Sequence, residues 1–199
     1  MKKLMTLAIF TLNIIVAAAQ EKIDSYKSNY FEKIYNVEVS KLDKKGGFTY
    51  YIQVAPQDDT KKISIMLESS DQPKFLTELN EAKAVYEKWV NTAKSNNVNE
   101  LSKDISVKFS HVGAAFTYGE WKFDFYVTIK PRFKIMEGKH LLILQSDELI
   151  ASSNQFMKCD GFLLVFESIT EIDEFIKAID MGKALDFLKK KSSKEELFN

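Results

Sequence analysis

The segment WKFDFYVTI, residues 121–129, places the strongest constraint on how this chain folds. Trp121, Phe123, Phe125, Val127 and Ile129 alternate with Lys122, Asp124, Tyr126 and Thr128. Successive side chains of an extended strand point to opposite faces, so this period of two predicts a β-strand with one apolar and one polar face. Aromatic side chains in such a pattern are expected to pack in a core and across strands.

The same signal recurs along the chain. In FTYYIQVA, Phe48, Tyr50, Ile52 and Val54 oppose Thr49, Tyr51 and Gln53, and KISIMLES follows with Ile63, Ile65 and Leu67 on one face. The two read as a hairpin around the polar loop 56–60. DISVKFSH, AAFTY, HLLILQS and FLLVFES are further strands, the last apolar enough to be covered on both sides. Pro131 cannot donate to a central ladder and is expected at an edge or bulge. Residues 20–28 read as a polar lead-in, the stretch up to Leu42 as a helical turn and then a strand, and residues 147–160 as a loop or short helical segment.

Two helices complete the pattern. Ser70 or Asp71 is the expected N-cap of the first, with Pro73 in its opening turn. Phe75, Leu76, Leu79, Ala82, Tyr86, Trp89, Val90 and Ala93 then recur at three- and four-residue spacing. The second is expected to start at an approximate capping box, Thr170 with Asp173, and to bury Ile172, Phe175, Ile176, Ile179, Leu185 and Leu188. Gly182 is placed to kink or split it. The fold class that follows is α+β, an antiparallel β-sheet with two amphipathic helices packed on it. LESSDQPKFLTEL and FESITEIDEFIKAI both run strand, Glu-Ser, turn, helix. A degenerate internal β-β-α repeat, with halves at about 46–98 and 103–190, is one account of that likeness, and the generic nature of the unit is the other.

The first residues, MKKLMTLAIFTLNIIVAAAQ, carry two lysines, an apolar run and small residues at Ala17 and Ala19. That layout predicts a signal peptide over residues 1–19, cleaved after Ala19 or Gln20, and leaves residues 20–199 as a single domain. The expected product is periplasmic or secreted, with no transmembrane segment after cleavage. Losing Lys2 and Lys3 takes the 28 basic side chains to 26 against 28 acidic ones, a net charge of −2. That balance does not suit nucleic acid, and with Arg132 the single arginine, recognition of phosphate or carboxylate by arginine clusters is not expected.

No motif assembles a reaction. Glu68 and Glu167 end equivalent strands and would form a carboxylate pair if the halves were related by a pseudo-twofold. The plainer reading is that both are charged strand termini. His111 and His140 fall at strand ends near solvent, without the spacing of a metal site. Cys159, the only cysteine, is a nucleophile only where a base stabilises its thiolate, and otherwise a small buried side chain. The weak catalytic candidates are thus Glu68, Glu167, His111 and Cys159. No metal and no cofactor is expected, since the seven glycines form no phosphate loop and no acidic ladder surrounds Asp43 or Asp58 and Asp59. Tyr51 and Tyr126, on the polar phases of their strands, lead the candidate binding residues, with Tyr118 and Trp121 beside them. The expected function is a non-enzymatic module that binds an unknown protein partner or small ligand. The alternative is an envelope hydrolase whose catalytic set is not visible in the sequence.

Overall fold

The computed structural model describes residues 20–196; the leader expected over residues 1–19 lies outside them. The strands are β1 (Glu21–Ser28), β2 (Lys33–Val39), β3 (Thr49–Pro56), β4 (Ile63–Glu68), β5 (Leu101–Asp104), β6 (Val112–Tyr118), β7 (Glu120–Val127), β8 (Ile129–Met136), β9 (Lys139–Ser146), β10 (Leu149–Ile150), β11 (Lys158–Cys159) and β12 (Phe162–Phe166). The helices are α1 (Gln72–Ser95), α2 (Ile169–Ala178) and α3 (Met181–Glu196). All strand pairs are antiparallel, and the helices pack on the sheet. The α+β class read from the sequence is the observed one. Among the described residues no helix is long and apolar enough to cross a membrane.

The main sheet runs β5-β8-β9-β12-β3-β4-β6-β7 and forks at β3. One edge of β3 is shared, because Tyr50, Tyr51 and Ile52 pair with β2 while Ala55 and Pro56 pair with β12. β1 then pairs with β2. The two branches close over a common core. Phe175 of α2 sits between them, its ring 5.0 Å from that of Tyr26 on β1 and 5.5 Å from that of Phe166 on β12. On α1, Phe75, Leu79, Ala82 and Tyr86 are buried along the stripe the spacing predicts.

Several elements differ from the sequence reading. Residues 21–28 form a strand rather than a lead-in, and their partner β2 starts at Lys33 without a helical turn. α3 lies against β1, with ion pairs from Lys183 to Asp24 and from Lys191 to Glu21. Residues 147–160 hold the two-stranded β10–β11 hairpin. Of DISVKFSH only Asp104 belongs to a strand; the rest is held by Ile105 N–H donating to Pro131 O at 3.0 Å and by the buried Glu78 carboxylate, which accepts Ser110 N–H at 2.9 Å and Ser110 Oγ at 2.6 Å. The N-cap of α2 is Ser168, whose Oγ accepts Glu171 N–H at 3.2 Å, so the Ser-x-x-Glu spacing is set two residues before the expected Thr170. The Glu171 carboxylate turns back to Glu167 N–H and to Asn29 N–H at 2.8 Å, which ties α2 to the turn after β1. The helix does break near Gly182, with α2 ending at Ala178 and α3 starting at Met181.

The largest departure concerns β7. Residues directly opposite in an antiparallel pair share a face. Val37, Ile52, Ile65, Ala114 and Asp124 therefore form one row across β2, β3, β4, β6 and β7, and Ile63, Phe116 and Lys122 form the next. Both rows are buried up to β6, so the inward positions of β7 belong to Asp124 and Lys122. Trp121 and Phe123, opposite Thr117 and Ala115, point outward. A bulge reverses the phase further on: Val112 pairs with Val127 but Ala114 with Asp124, so β7 has one more residue here than β6. Val127 and Ile129 consequently return to the core.

A charged inward phase is tolerated because the β10–β11 hairpin meets it. Asp124 Oδ2 accepts Ile150 N–H at 2.9 Å and Oδ1 accepts Tyr126 N–H at 3.0 Å, while Lys122 Nζ donates to Glu120 at 2.6 Å. Asp124 thereby satisfies two backbone donors, one on the hairpin and one in the bulge.

Candidate binding surface

The outer face of this branch carries two neighbouring rows. One is Glu38, Tyr51, Met66 and Gly113; the other is Gln53, Ser64, Ala115 and Phe123. Over β4 and β6 the rows carry Met66, Gly113 and the buried Ser64 and Ala115, and exposure is concentrated in the aromatics of β7. Trp121 is 49% exposed and Phe125 62%, which is unusual for a strand bearing the chain's best alternation. The free edge of β7 is partly closed, since Ser152 N–H donates to Phe123 O at 2.8 Å. That bond leaves the face, rather than the edge, as the exposed feature.

At one end of the face a cleft of about 410 Å³ is lined by Lys33, Tyr35, Glu38, Gln53, Lys61, Lys62, Ser64 and Trp121 among others. Lys33 Nζ lies 5.4 Å from the centre of the Tyr35 ring, and Lys61 Nζ 5.4 Å from that of Tyr118. Both are cation–π contacts. Gln53 anchors the floor, with Oε1 accepting Asn36 N–H at 3.2 Å.

At the other end Tyr126, 74% exposed in the bulge, stacks on His111 with ring centres 3.6 Å apart and an interplanar angle of 23°. Thr128 Oγ1 is 3.3 Å from His111 Nδ1. A small cavity of about 140 Å³ lies beside them, lined by Met66, Glu68, Asp71, His111, Gly113 and Phe125.

The structure thus places Tyr51, Tyr118, Trp121 and Tyr126 as follows. Tyr51 and Trp121 share the outer face, Tyr118 borders the cleft through Lys61, and Tyr126 marks the far end. Burial and then the Glu68 carboxylate raise the Tyr51 phenol above its usual range, partly offset by a hydrogen bond with the Gln20 side chain. Phe123 and Phe125 belong to the same surface, although their pattern assigned them to the core. The lysines of the cleft come from β2 and from the turn before β4, segments that only the strand register brings together.

The weak catalytic candidates are distributed differently. Glu68 and His111 line the same small cavity, but Glu68 accepts Thr49 Oγ1 at 3.0 Å and His111 is occupied by Tyr126 and Thr128. Glu167 accepts Lys139 Nζ at 2.8 Å, and Cys159 Sγ donates to Asp160 O at 3.0 Å. Among the described residues no hydrogen bond joins any two of Glu68, Glu167, His111 and Cys159. His140, expected at a rim, is half-buried near Phe133, and burial followed by the Lys94 charge holds its imidazole below the usual histidine range. Among the described residues no group of three or more His, Cys, Asp or Glu side chains is arranged to hold a metal ion.

Cys159 is buried, and burial pushes its thiol from 9.0 up to about 11. The shift favours the neutral thiol in the folded state. Its contribution to stability is therefore complete below pH 9.0 and is lost as pH rises through about 11. At pH 8, iodoacetamide should alkylate the native protein about 100-fold more slowly than the urea-unfolded chain, from thiolate fraction alone. Equal rates in the two states would show an exposed, activated cysteine.

Fold and surface together define an antiparallel α+β protein with an aromatic outer sheet face and a lysine-lined cleft at one end. Comparison with protein-family models, with curated proteins and with solved structures gives no match.

Proposed function

We propose that this chain is an exported, non-enzymatic binding module of the bacterial envelope, acting in the periplasm or outside the cell. Its ligand or protein partner is held on the outer face of β7. The observation that carries this reading is the inverted strand. Trp121 and Phe125 are turned to solvent while Lys122 and Asp124 fill the inward phase. Exposing large aromatic surface forgoes the stabilisation its burial would give, roughly 1.5–3 kcal/mol for a fully buried large apolar side chain. Contiguous exposed apolar surface of this kind marks interaction sites.

The test is native mass spectrometry of the processed protein purified gently from its exported fraction, beside a Trp121→Ser/Phe125→Ser double variant. The wild type should carry a discrete ligand increment or a co-purifying protein, and the folded variant should lose it. Retention of the same species by the folded variant would remove the β7 face as the binding surface.

A further inference from the structure

The cleft at the Trp121 end gathers three lysines, Lys33, Lys61 and Lys62, in one lining. Lys83, Lys122, Lys130, Lys139, Lys158, Lys183 and Lys191 all pair with carboxylates. Lys33, Lys61 and Lys62 instead converge on one cleft, and among the described residues none of the three makes an ion pair. Three carboxylates stand near these lysines, and one of them, Glu38, is in the lining itself. Gln53 Nε2 is 3.5 Å from the Glu38 carboxylate. Asp58 and Asp59 lie on the adjoining loop, where Asp58 accepts Thr60 N–H at 2.9 Å and Thr60 Oγ1 at 2.8 Å.

We propose that this cleft takes an acidic sugar, a pyranose ring carrying a carboxylate, presented as a uronate unit of an oligosaccharide. This inference rests on the binding-face reading and names the ligand for it. Each part of the ligand meets a matching group. The half-exposed Trp121 indole offers a π face, whose negative quadrupole attracts the polarised C–H bonds on one side of a pyranose ring. The three ammonium groups supply the counter-charge, as point charges on flexible stems suited to a carboxylate approached from several directions. Glu38, Gln53 and Ser64 provide the acceptors and donors that ring hydroxyls need. A volume of about 410 Å³ lies in the range of small-ligand sites.

A sugar phosphate shares the anion and the ring, so the experiment separates the two. Isothermal titration of the processed wild-type protein would use oligogalacturonate, the matching neutral galacto-oligosaccharide and inorganic phosphate. Oligogalacturonate should bind saturably, weaken as salt rises, and exceed the neutral oligomer by at least about tenfold, with phosphate alone not saturating. Lys61→Gln/Lys62→Gln and Trp121→Ala should each weaken it by about tenfold while the circular dichroism spectrum stays that of wild type. Lys33→Gln gives a second reading from the opposite wall. Absent binding, equal affinity for the neutral oligomer, saturation by phosphate, or binding indifferent to these substitutions would each overturn the acidic-sugar assignment. The binding-face reading is judged separately, because the native mass of the Trp121→Ser/Phe125→Ser variant reports on it whatever the sugar does.

Discussion

Replacing Phe175 with alanine is expected to lower the unfolding free energy by about 3–5 kcal/mol, the range for deleting a buried phenyl ring. Phe175 is fully buried and touches both branches of the forked sheet, meeting Tyr26 edge-on at 87° and Phe166 at 63°. Its removal leaves a cavity where β1 and β12 come together under α2, and neither strand is free to collapse into it. β1 is fixed by its ladder with β2, and β12 lies between β9 and β3. Phe125→Ala is the matched control, since Phe125 points to solvent and its loss should change stability by no more than about 0.5 kcal/mol. Urea denaturation of both variants measures the contrast. A Phe175→Ala loss below about 1 kcal/mol would mean that α2 does not bridge the branches.

Gly161→Ala is expected to cost about 3 kcal/mol or more, at the upper end of overpacking penalties. A Cβ at this position would stand 2.4 Å from both Ser146 O and Asp147 O and 2.6 Å from Ser146 Oγ. These atoms are not free to retreat. Ser146 Oγ accepts Phe162 N–H at 3.0 Å, Gly161 O accepts Gln57 N–H at 2.9 Å, and Gln57 Nε2 donates to Ser146 O at 3.2 Å. The strain therefore spreads into hydrogen bonds that join the ends of β3, β9 and β12 where the sheet forks, each contributing about 1 kcal/mol. Gly119→Ala separates crowding from backbone conformation. Gly119 has open space around it but a φ of +72°, so its substitution should cost only about 1 kcal/mol. Equal losses at the two glycines, again by urea denaturation, would contradict the crowding at Gly161.

Much of the fold was legible where pattern and burial agree. Phe48, Tyr50, Ile52 and Val54 alternate and are buried, and the α1 stripe from Phe75 to Tyr86 lies on the core as its spacing implies. β1 was not legible, because EKIDSYKS carries little apolar signal and is held by its ladder with β2 and by α3. The β10–β11 strands are two residues each, too short for a period to show. The candidate surface was half legible. Tyr51, Tyr118, Trp121 and Tyr126 all reach it or its borders, yet Phe123 and Phe125 were assigned to the core.

The reason is general. A period of two states which residues share a face, and it does not state which face is inside. For β7 that choice depends on its register against β6, on the bulge opposite Gly113, and on a hairpin some thirty residues further on that hydrogen-bonds Asp124. The cleft lysines were invisible for the same reason, since Lys33 and the pair Lys61 and Lys62 become neighbours only through the ladders of β3 with β2 and β4.

The inversion of β7 is the claim on which the functional reading stands, and one tryptophan reports on it directly. The chain has two tryptophans, Trp89 and Trp121, and Trp89→Phe leaves Trp121 as the only indole. Acrylamide and iodide quenching of that variant, with its emission maximum, would measure the solvent access of the β7 face. The structure predicts long-wavelength emission and strong quenching by both agents, enhanced for iodide by the lysines of the cleft. Short-wavelength emission that neither agent quenches would put the aromatic phase of β7 in the core and leave the protein without the surface proposed here.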